Sequence, residues 1–341
     1  AMESARALDD LGRMGRGGVA QALRVVVALP PRHSALEPDG WEAARRVARL
    51  AAADPRVARA QALPTLVPAP RMTFEVASLL PAELRRAYVS RDQRLALVDV
   101  LPADGAAFPD LTRLARDLRA RDAAAVTGVP GARLLVGGLP AFNADYEDAV
   151  AGRLGLVVAL VVGGTVLGLA LGFRSLLVPV KAGALNLLSV GAALGATVLV
   201  FQDGLGAAAL GVRPLGSLFP ALPALVFCLV FGLSMDYEVF LVARVAEARR
   251  AGLGEAAAVG EGLARTGGVI TSAAAVMAVV FAAFVLGDFV MMQVLGFALA
   301  AAVVLDATVV RLALGPALLA LAGRWNWWPG DRAPASSDYV T

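Results

Sequence analysis

Two adjacent residues, Asp236 and Tyr237, interrupt a long apolar run and could carry proton chemistry. An ionised carboxylate at the centre of a bilayer costs roughly 2.5–3.5 kcal/mol on insertion scales, so an acid there is by default functional. In a helix from about Pro223 to Ala243, Asp236 lies about 12 Å of helix rise before Arg244, too deep to reach the membrane surface. A buried carboxyl whose partner moves can load and release a proton. The alternative is a static hydrogen bond that only holds helices together.

Three further charges lie in apolar runs and could support this pair. Glu238 is about 200° around the helix from Asp236, so the two acids cannot share a helix face. Asp306 and Arg311 form a second charge pair, neutral in sum, in the last apolar run. We expect this pair to be the counterpart of the helix that carries Asp236, although it could also be purely structural.

Small residues are frequent in the apolar runs, which favours close helix packing. Near Asp236, Gly232 and Ser234 are the small residues predicted to allow a neighbouring helix to pack closely. The same pattern recurs earlier in the chain, at Gly163, Gly164, Gly168, Gly172, Gly191 and Gly195.

Several other chemistries are disfavoured by the residue content. The single cysteine, Cys228, allows neither an intrachain disulfide nor a cysteine-based metal cluster. The single histidine, His33, lies in a proline-rich loop, where a solvated residue is expected, and no metal site is predicted. No phosphate-binding Gly-Lys-Ser/Thr loop is present. The arginines are interleaved with acids or placed in short loops, which favours a topology signal over nucleic-acid contacts.

The elements that position these residues fall into two parts, one expected in water and one expected in the membrane. Of the 341 residues, 58% are apolar and 17% charged, and the mean hydropathy is +0.69, which predicts a membrane protein. Most of the Arg, Asp and Glu residues of the chain lie before residue 153, and we interpret residues 1–150 as a soluble domain. Its predicted elements are strands at 23–29, 56–63, 94–101 and 133–138 and helices at 40–52 and 110–124. This βαββαβ order predicts an α+β ferredoxin-like domain.

The remaining chain, residues 151–323, predicts an α-helical membrane domain. Uncharged runs of bilayer-spanning length indicate five transmembrane helices, near 154–173, 182–202, 218–243, 266–287 and 289–312. Residues 244–265 are too polar to span, and they predict either a helix along the membrane surface or a solvated connector. Residues 324–341 form a predicted tail.

The short loops predict the orientation of these helices. Arg174 and Lys181 follow the first helix, and Arg249 and Arg265 follow the third, so these loops are expected on the cytoplasmic side. Residues 1–150 are then extracytoplasmic and the carboxyl terminus is cytoplasmic. The opening residues lack the pattern of a signal peptide, so we expect a membrane helix upstream of residue 1.

Three segments carry a resemblance to a known transporter family. They are FGLSMDYEVFLVARVAEARRAG at 231–252, LDATVVRLALGPALL at 305–319 and GRWNWWP at 323–329. The chain resembles the carboxyl-terminal half of the mycobacterial-membrane-protein-large (MMPL) family, a branch of the resistance-nodulation-division superfamily. A member has two similar halves, each with one helix, an extracytoplasmic porter domain and five further helices.

The resemblance implies a function and partners. Asp236 and Tyr237 match the proton-relay pair of the family, and Asp306 and Arg311 match charged positions near that relay. The family exports lipids, lipid-like metabolites or hydrophobic drugs across the plasma membrane, driven by the proton gradient without ATP or another cofactor. The implied partners are the missing amino-terminal half, the substrate and membrane lipids. A second copy of the chain, in a homo-oligomer, is a further possible partner.

Two alternatives remain at this stage. One is a sensing or partner-binding membrane module of the same superfamily that does not transport. The other is an intramembrane aspartyl protease in which Asp236 and Asp306 share one proton. Tyr237 follows its aspartate instead of preceding it, no Gly-x-Gly-Asp surrounds Asp306, and Arg311 favours an ionised carboxylate, so the protease is the weaker alternative.

Overall fold

Four short segments pair into one antiparallel sheet near the amino terminus. The strands are β1 (Leu23–Ala28), β2 (Val57–Ala62), β3 (Leu95–Pro102) and β4 (Arg133–Gly138). Their order across the sheet is β2-β3-β1-β4, and each neighbouring pair is antiparallel. This topology confirms the predicted α+β ferredoxin-like fold class.

The sheet buries one face beneath two amphipathic helices, Pro38–Ala52 and Phe108–Arg119. Alternate residues of β1, such as Val25 and Val27, are fully buried, and Trp41 of the first helix is 1% exposed. Shorter helices flank this core. They are Glu3–Arg13, Leu63–Leu66, Ala82–Tyr88 and Ala123–Thr127.

The predicted helix at 110–124 is wrong at its end. The helix stops at Arg119, and a new one begins at Ala123. The side chain of Asp122 accepts a hydrogen bond from the backbone N–H of Ala124, so this acid caps the second helix instead of continuing the first.

The computed structural model describes residues 3–67, 76, 79–212 and 218–330 of the chain. The chain divides into two compact units, Ala1–Ala149 and Val150–Thr341. Part of the segment between β2 and β3 and most of the predicted tail lie outside the described residues. Among the residues that the structure describes, five helices are long and apolar enough to cross a membrane. We call them the first to fifth spans: Leu139–Phe173, Leu177–Gln202, Leu222–Arg250, Glu255–Val285 and Val290–Trp327.

The surface helix or connector predicted at 244–265 is wrong. The third span continues to Arg250, and the fourth begins at Glu255 after a tight turn at Gly252, whose φ is +93°. The physical reason is a hidden apolar face, because Val245 and Ala258 pack into a buried cluster with Trp327. Charged residues on the other faces had masked this face in the sequence.

The glycines chosen from the sequence are not the closely packed ones. A Cβ added at Gly232 would meet no described atom within 4 Å, and the same holds for Gly163, Gly164, Gly168, Gly172, Gly191 and Gly195. Gly296 of the fifth span is different, because its Cβ would lie 2.6 Å from the backbone oxygen of Phe281 and from Cβ of Phe284. Close packing therefore joins the fourth and fifth spans at Gly296.

Replacement of Gly296 with Ala should destabilise the full-length protein by about 1–3 kcal/mol, because the extra methyl must push the fourth span away. Thermal unfolding in detergent, followed by fluorescence, measures this loss. Gly268→Ala is the matched control, since its Cβ would meet no described atom within 4 Å. An equal unfolding temperature for both variants would contradict the packing described above.

Candidate functional site

A buried ion pair within the fifth span contacts the third span inside the apolar bundle. Arg311 Nε lies 2.8 Å from Asp306 Oδ2, and the two side chains are 3% and 9% exposed. Ser234 is the contact on the third span. Its Oγ lies 2.9 Å from Asp306 Oδ2 and 2.8 Å from Arg311 Nη2, which also donates to the Ser234 carbonyl oxygen. Three side chains thus form one closed hydrogen-bonded ring.

The backbone of the fifth span makes this ion pair possible. Residues five apart on an α-helix point about 140° away from each other, so Asp306 and Arg311 could not meet on a regular helix. The segment Asp306–Leu314 is instead π-helical, and its wider turn brings residues five apart onto one side. Such π-helical turns are frequently found at functional sites.

Tyr237 contacts the ring from one helical turn beyond Ser234. The guanidinium of Arg311 lies over the Tyr237 ring, with 5.2 Å between its carbon and the ring centroid. A cation held over an aromatic face is stabilised by the ring quadrupole, by about 2 kcal/mol when it is desolvated. Two neighbours therefore stabilise the positive charge of Arg311: the carboxylate of Asp306 and the aromatic ring of Tyr237.

The second span supplies a polar residue that sequence reasoning missed. Asn186 is 4% exposed, and its side-chain oxygen lies within hydrogen-bond distance of Ser234 Oγ. The hydroxyl has one proton, and Asn186 Nδ2 has no described partner. Turning the amide over satisfies both, because Nδ2 then donates to Ser234 while Ser234 donates to Asp306. An amide within an apolar run was the available signal.

Two charged atoms of the ring remain without a protein partner among the described residues: Asp306 Oδ1 and Arg311 Nη1. A small cavity of about 20 Å³ adjoins them, bordered by Tyr237 and by Ile270 and Met277 of the fourth span. Roughly 10–15 Å³ of such space is enough for one water. The cavity therefore has room for a single water beside Asp306 and Arg311.

Asp236 does not belong to this ring. It is exposed on the third span and forms no hydrogen bond or ion pair with any described residue. Glu238 is partly buried. Of the residues predicted for the site, the structure brings together Tyr237, Asp306 and Arg311, with Ser234 as a hydrogen-bonding group. The two acids of an aspartyl protease share a proton, whereas no hydrogen bond between Asp236 and Asp306 is found among the described residues.

The amino-terminal unit Ala1–Ala149 holds a second dense group of charges, and those around Arg56 are paired. Arg56 lies 2.7 Å from both Asp54 and Asp117, which ties the start of β2 to the helix Phe108–Arg119. The hydrogen bond from Arg56 holds the pKa of Asp54 below its ordinary value. This network stabilises the domain and leaves the membrane ring as the stronger functional candidate.

Comparisons with known proteins identify relatives of this chain. The model of the MMPL family matches residues 1–337. The chain is 43% identical over 226 residues to the membrane protein SCO6666 of Streptomyces coelicolor. In Mycobacterium tuberculosis, it is 41% identical over 204 residues to the trehalose monomycolate exporter MmpL3 and 42% over 198 residues to the heme uptake protein MmpL11.

These matches cover 66%, 60% and 58% of this chain but only 31%, 22% and 20% of the three relatives. The aligned part is thus less than a third of each relative. The family match extends over nearly all of the sequence, including the amino-terminal unit and the five spans. This chain belongs to the MMPL family.

Proposed function

We propose that the chain is part of a transporter that uses the proton gradient to export lipids, lipid-like metabolites or hydrophobic drugs. The single observation that carries the proposal is the buried ring of Ser234, Asp306 and Arg311 beneath Tyr237. Breaking a buried ion pair is costly, so a proton that neutralises its acid changes the energy of the whole contact. The ring is placed where such a change acts on two spans at once.

The geometry supports a simple coupling step. When Asp306 is ionised, it holds Arg311 on the fifth span and Ser234 on the third. When Asp306 takes a proton, its attraction to Arg311 weakens, and the guanidinium is left to the Tyr237 ring and the Ser234 carbonyl. The third and fifth spans then prefer a different packing. A proton that crosses the membrane supplies about 2.3 kcal/mol per 100 mV to this cycle.

The exposure of Asp236 supports a role for a second half of the protein. An acid left against lipid at this depth would cost roughly 2.5–3.5 kcal/mol, so its surroundings in the complete protein must be polar. The relatives are three or more times longer than the aligned segment, which is room for such a half. In the proposal, Asp236 meets that half and passes protons toward Tyr237 and the ring.

The proposed cargo class rests on the relatives. One relative is named as an exporter of trehalose monomycolate and another for heme uptake, and both molecules combine a large apolar part with polar groups. We propose amphipathic cargo for this chain, handled by the soluble domain on the extracytoplasmic side. The carboxyl terminus then lies in the cytoplasm.

Reconstitution of the full-length protein into liposomes tests the proposal. The probe is a phospholipid with a fluorescent acyl chain, and its transfer between leaflets is measured with and without an imposed pH gradient. We expect the gradient to accelerate the transfer and a protonophore to remove the acceleration. Transfer at one rate in all these conditions would contradict proton coupling.

A further inference from the structure

A pocket of about 190 Å³ lies at the end of the helix bundle where the first and third spans stop. Its lining includes Arg174 just after the first span, Arg249 and Arg250 at the end of the third, and Trp327 and Gly330 from the carboxyl-terminal segment. A water needs roughly 10–15 Å³ of such space, so the pocket accommodates a much larger group.

The pocket carries an excess of positive charge. Arg249 is balanced, because it lies 2.8 Å from Glu255 and its guanidinium stacks on Trp327 at 5.1 Å. Arg174 and Arg250 are exposed, and neither forms an ion pair with a residue that the structure describes. Two guanidinium groups therefore face the pocket without a described counter-charge.

The walls of the pocket are fixed by the backbone. Arg174 has φ of +49°, a conformation that side chains other than glycine seldom adopt. A Cβ at Gly330 would lie 2.2 Å from the Arg174 carbonyl oxygen, so the two segments are in direct contact. The N–H of Leu176 also donates to the Trp328 carbonyl oxygen at 3.0 Å. This arrangement sets the position of Arg174 before any ligand binds.

The level of the pocket along the helices indicates its ligand. Arg174 directly follows the first span and Arg250 ends the third, so both lie at the ends of helices long enough to cross a membrane, on the side toward the headgroups. Trp325 and Trp328 on the same segment are 61% and 57% exposed, as expected for aromatic residues at a membrane interface. The phosphate of a phospholipid is the anion present at this depth, and arginine binds phosphate through two parallel hydrogen bonds.

We propose that this pocket binds the phosphate group of an anionic phospholipid through Arg174 and Arg250, with Arg249 and Trp327 as its rigid wall. The lipid would join the first span, the third span and the carboxyl-terminal segment. Basic pockets between spans are a known mode of headgroup recognition. The inference does not depend on transport or on the proton ring.

Native mass spectrometry of the full-length protein in detergent tests the site, with dioleoylphosphatidylglycerol as the probe and dioleoylphosphatidylcholine for comparison. We expect saturable binding of the anionic lipid, weakened roughly tenfold or more by Arg174→Gln with Arg250→Gln, because two charge-assisted contacts are lost. Arg244→Gln with Arg265→Gln is the matched control. It removes the same charge from arginines paired with Glu247 and Glu261, outside the pocket.

Equal lipid binding by the Arg174/Arg250 variant and the wild type would overturn the proposal. An equal loss in the control variant would also overturn it, because general charge attraction would then explain the binding. Inorganic phosphate is the third arm: displacement of the lipid at similar concentrations would assign the pocket to a free anion instead. Arg250→Gln alone, an exposed change at a helix end, gives a several-fold loss that can be measured if the double variant does not fold.

Discussion

Replacement of Arg311 with Gln in the full-length protein should lower the free energy of unfolding by about 3–5 kcal/mol. The loss arises because Asp306 is then left in the bundle without its cation, while Ser234 can offer only one hydrogen bond. The stacking of Arg311 on Tyr237 is lost as well. Denaturation in mixed micelles at neutral pH, followed by tryptophan fluorescence, measures the change.

The double variant, Asp306→Asn with Arg311→Gln, separates stability from function. It removes both charges and leaves two amides that can bond to each other, so most of the lost stability should return. Proton-driven transfer of the fluorescent phospholipid should stay at background, because no group in the ring can then ionise. A double variant that is stable and still transports would show that the ring is only structural.

Replacement of Asp236 with Asn should abolish proton-driven transfer while the protein still folds and inserts. The change keeps the shape of the side chain and removes the charge, and this residue takes part in no described hydrogen bond that folding could lose. The liposome assay with an imposed pH gradient measures the effect.

Asp288→Asn is the matched control for this variant. Asp288 is an exposed acid between the fourth and fifth spans, near the end of the bundle and not in its middle. Its replacement should leave transfer unchanged. Normal gradient-driven transfer by the Asp236 variant would remove this residue from the proton path, and an equal loss in both variants would indicate a general effect of charge.

The sequence predicted the elements whose patterns are local. The strand at Leu23–Ala28 was recognisable because β-branched residues follow each other and end at two prolines, and the fold class follows from the order of such elements. The spans were recognisable from the length of their apolar runs. The helix break before Ala123 was missed because Asp122 caps through a hydrogen bond that composition does not reveal.

The sequence predicted some of the residues of the site but not their geometry. Asp306 and Arg311 stood out as charges in an apolar run, but a spacing of five residues places them on different faces of a regular helix. Their contact depends on π-helical geometry, for which the sequence has no clear signal. Gly232 was predicted to pack closely because it is small, but a Cβ at this position would meet no described atom within 4 Å. Only the fold decides which glycine lies against a neighbouring helix.

The π-helical segment Asp306–Leu314 also sets the rotational phase of the fifth span. Each extra residue in a helix rotates everything that follows by about 100° and advances it by about 1.5 Å. Asp306 of the ring lies at the start of the π-helical segment, and the pocket residue Trp327 lies after its end. Deletion of one residue between Arg311 and Trp327 would rotate Trp327 by about 100° relative to the ring. Either the ring or the pocket wall would then lose its contacts, while the other kept them.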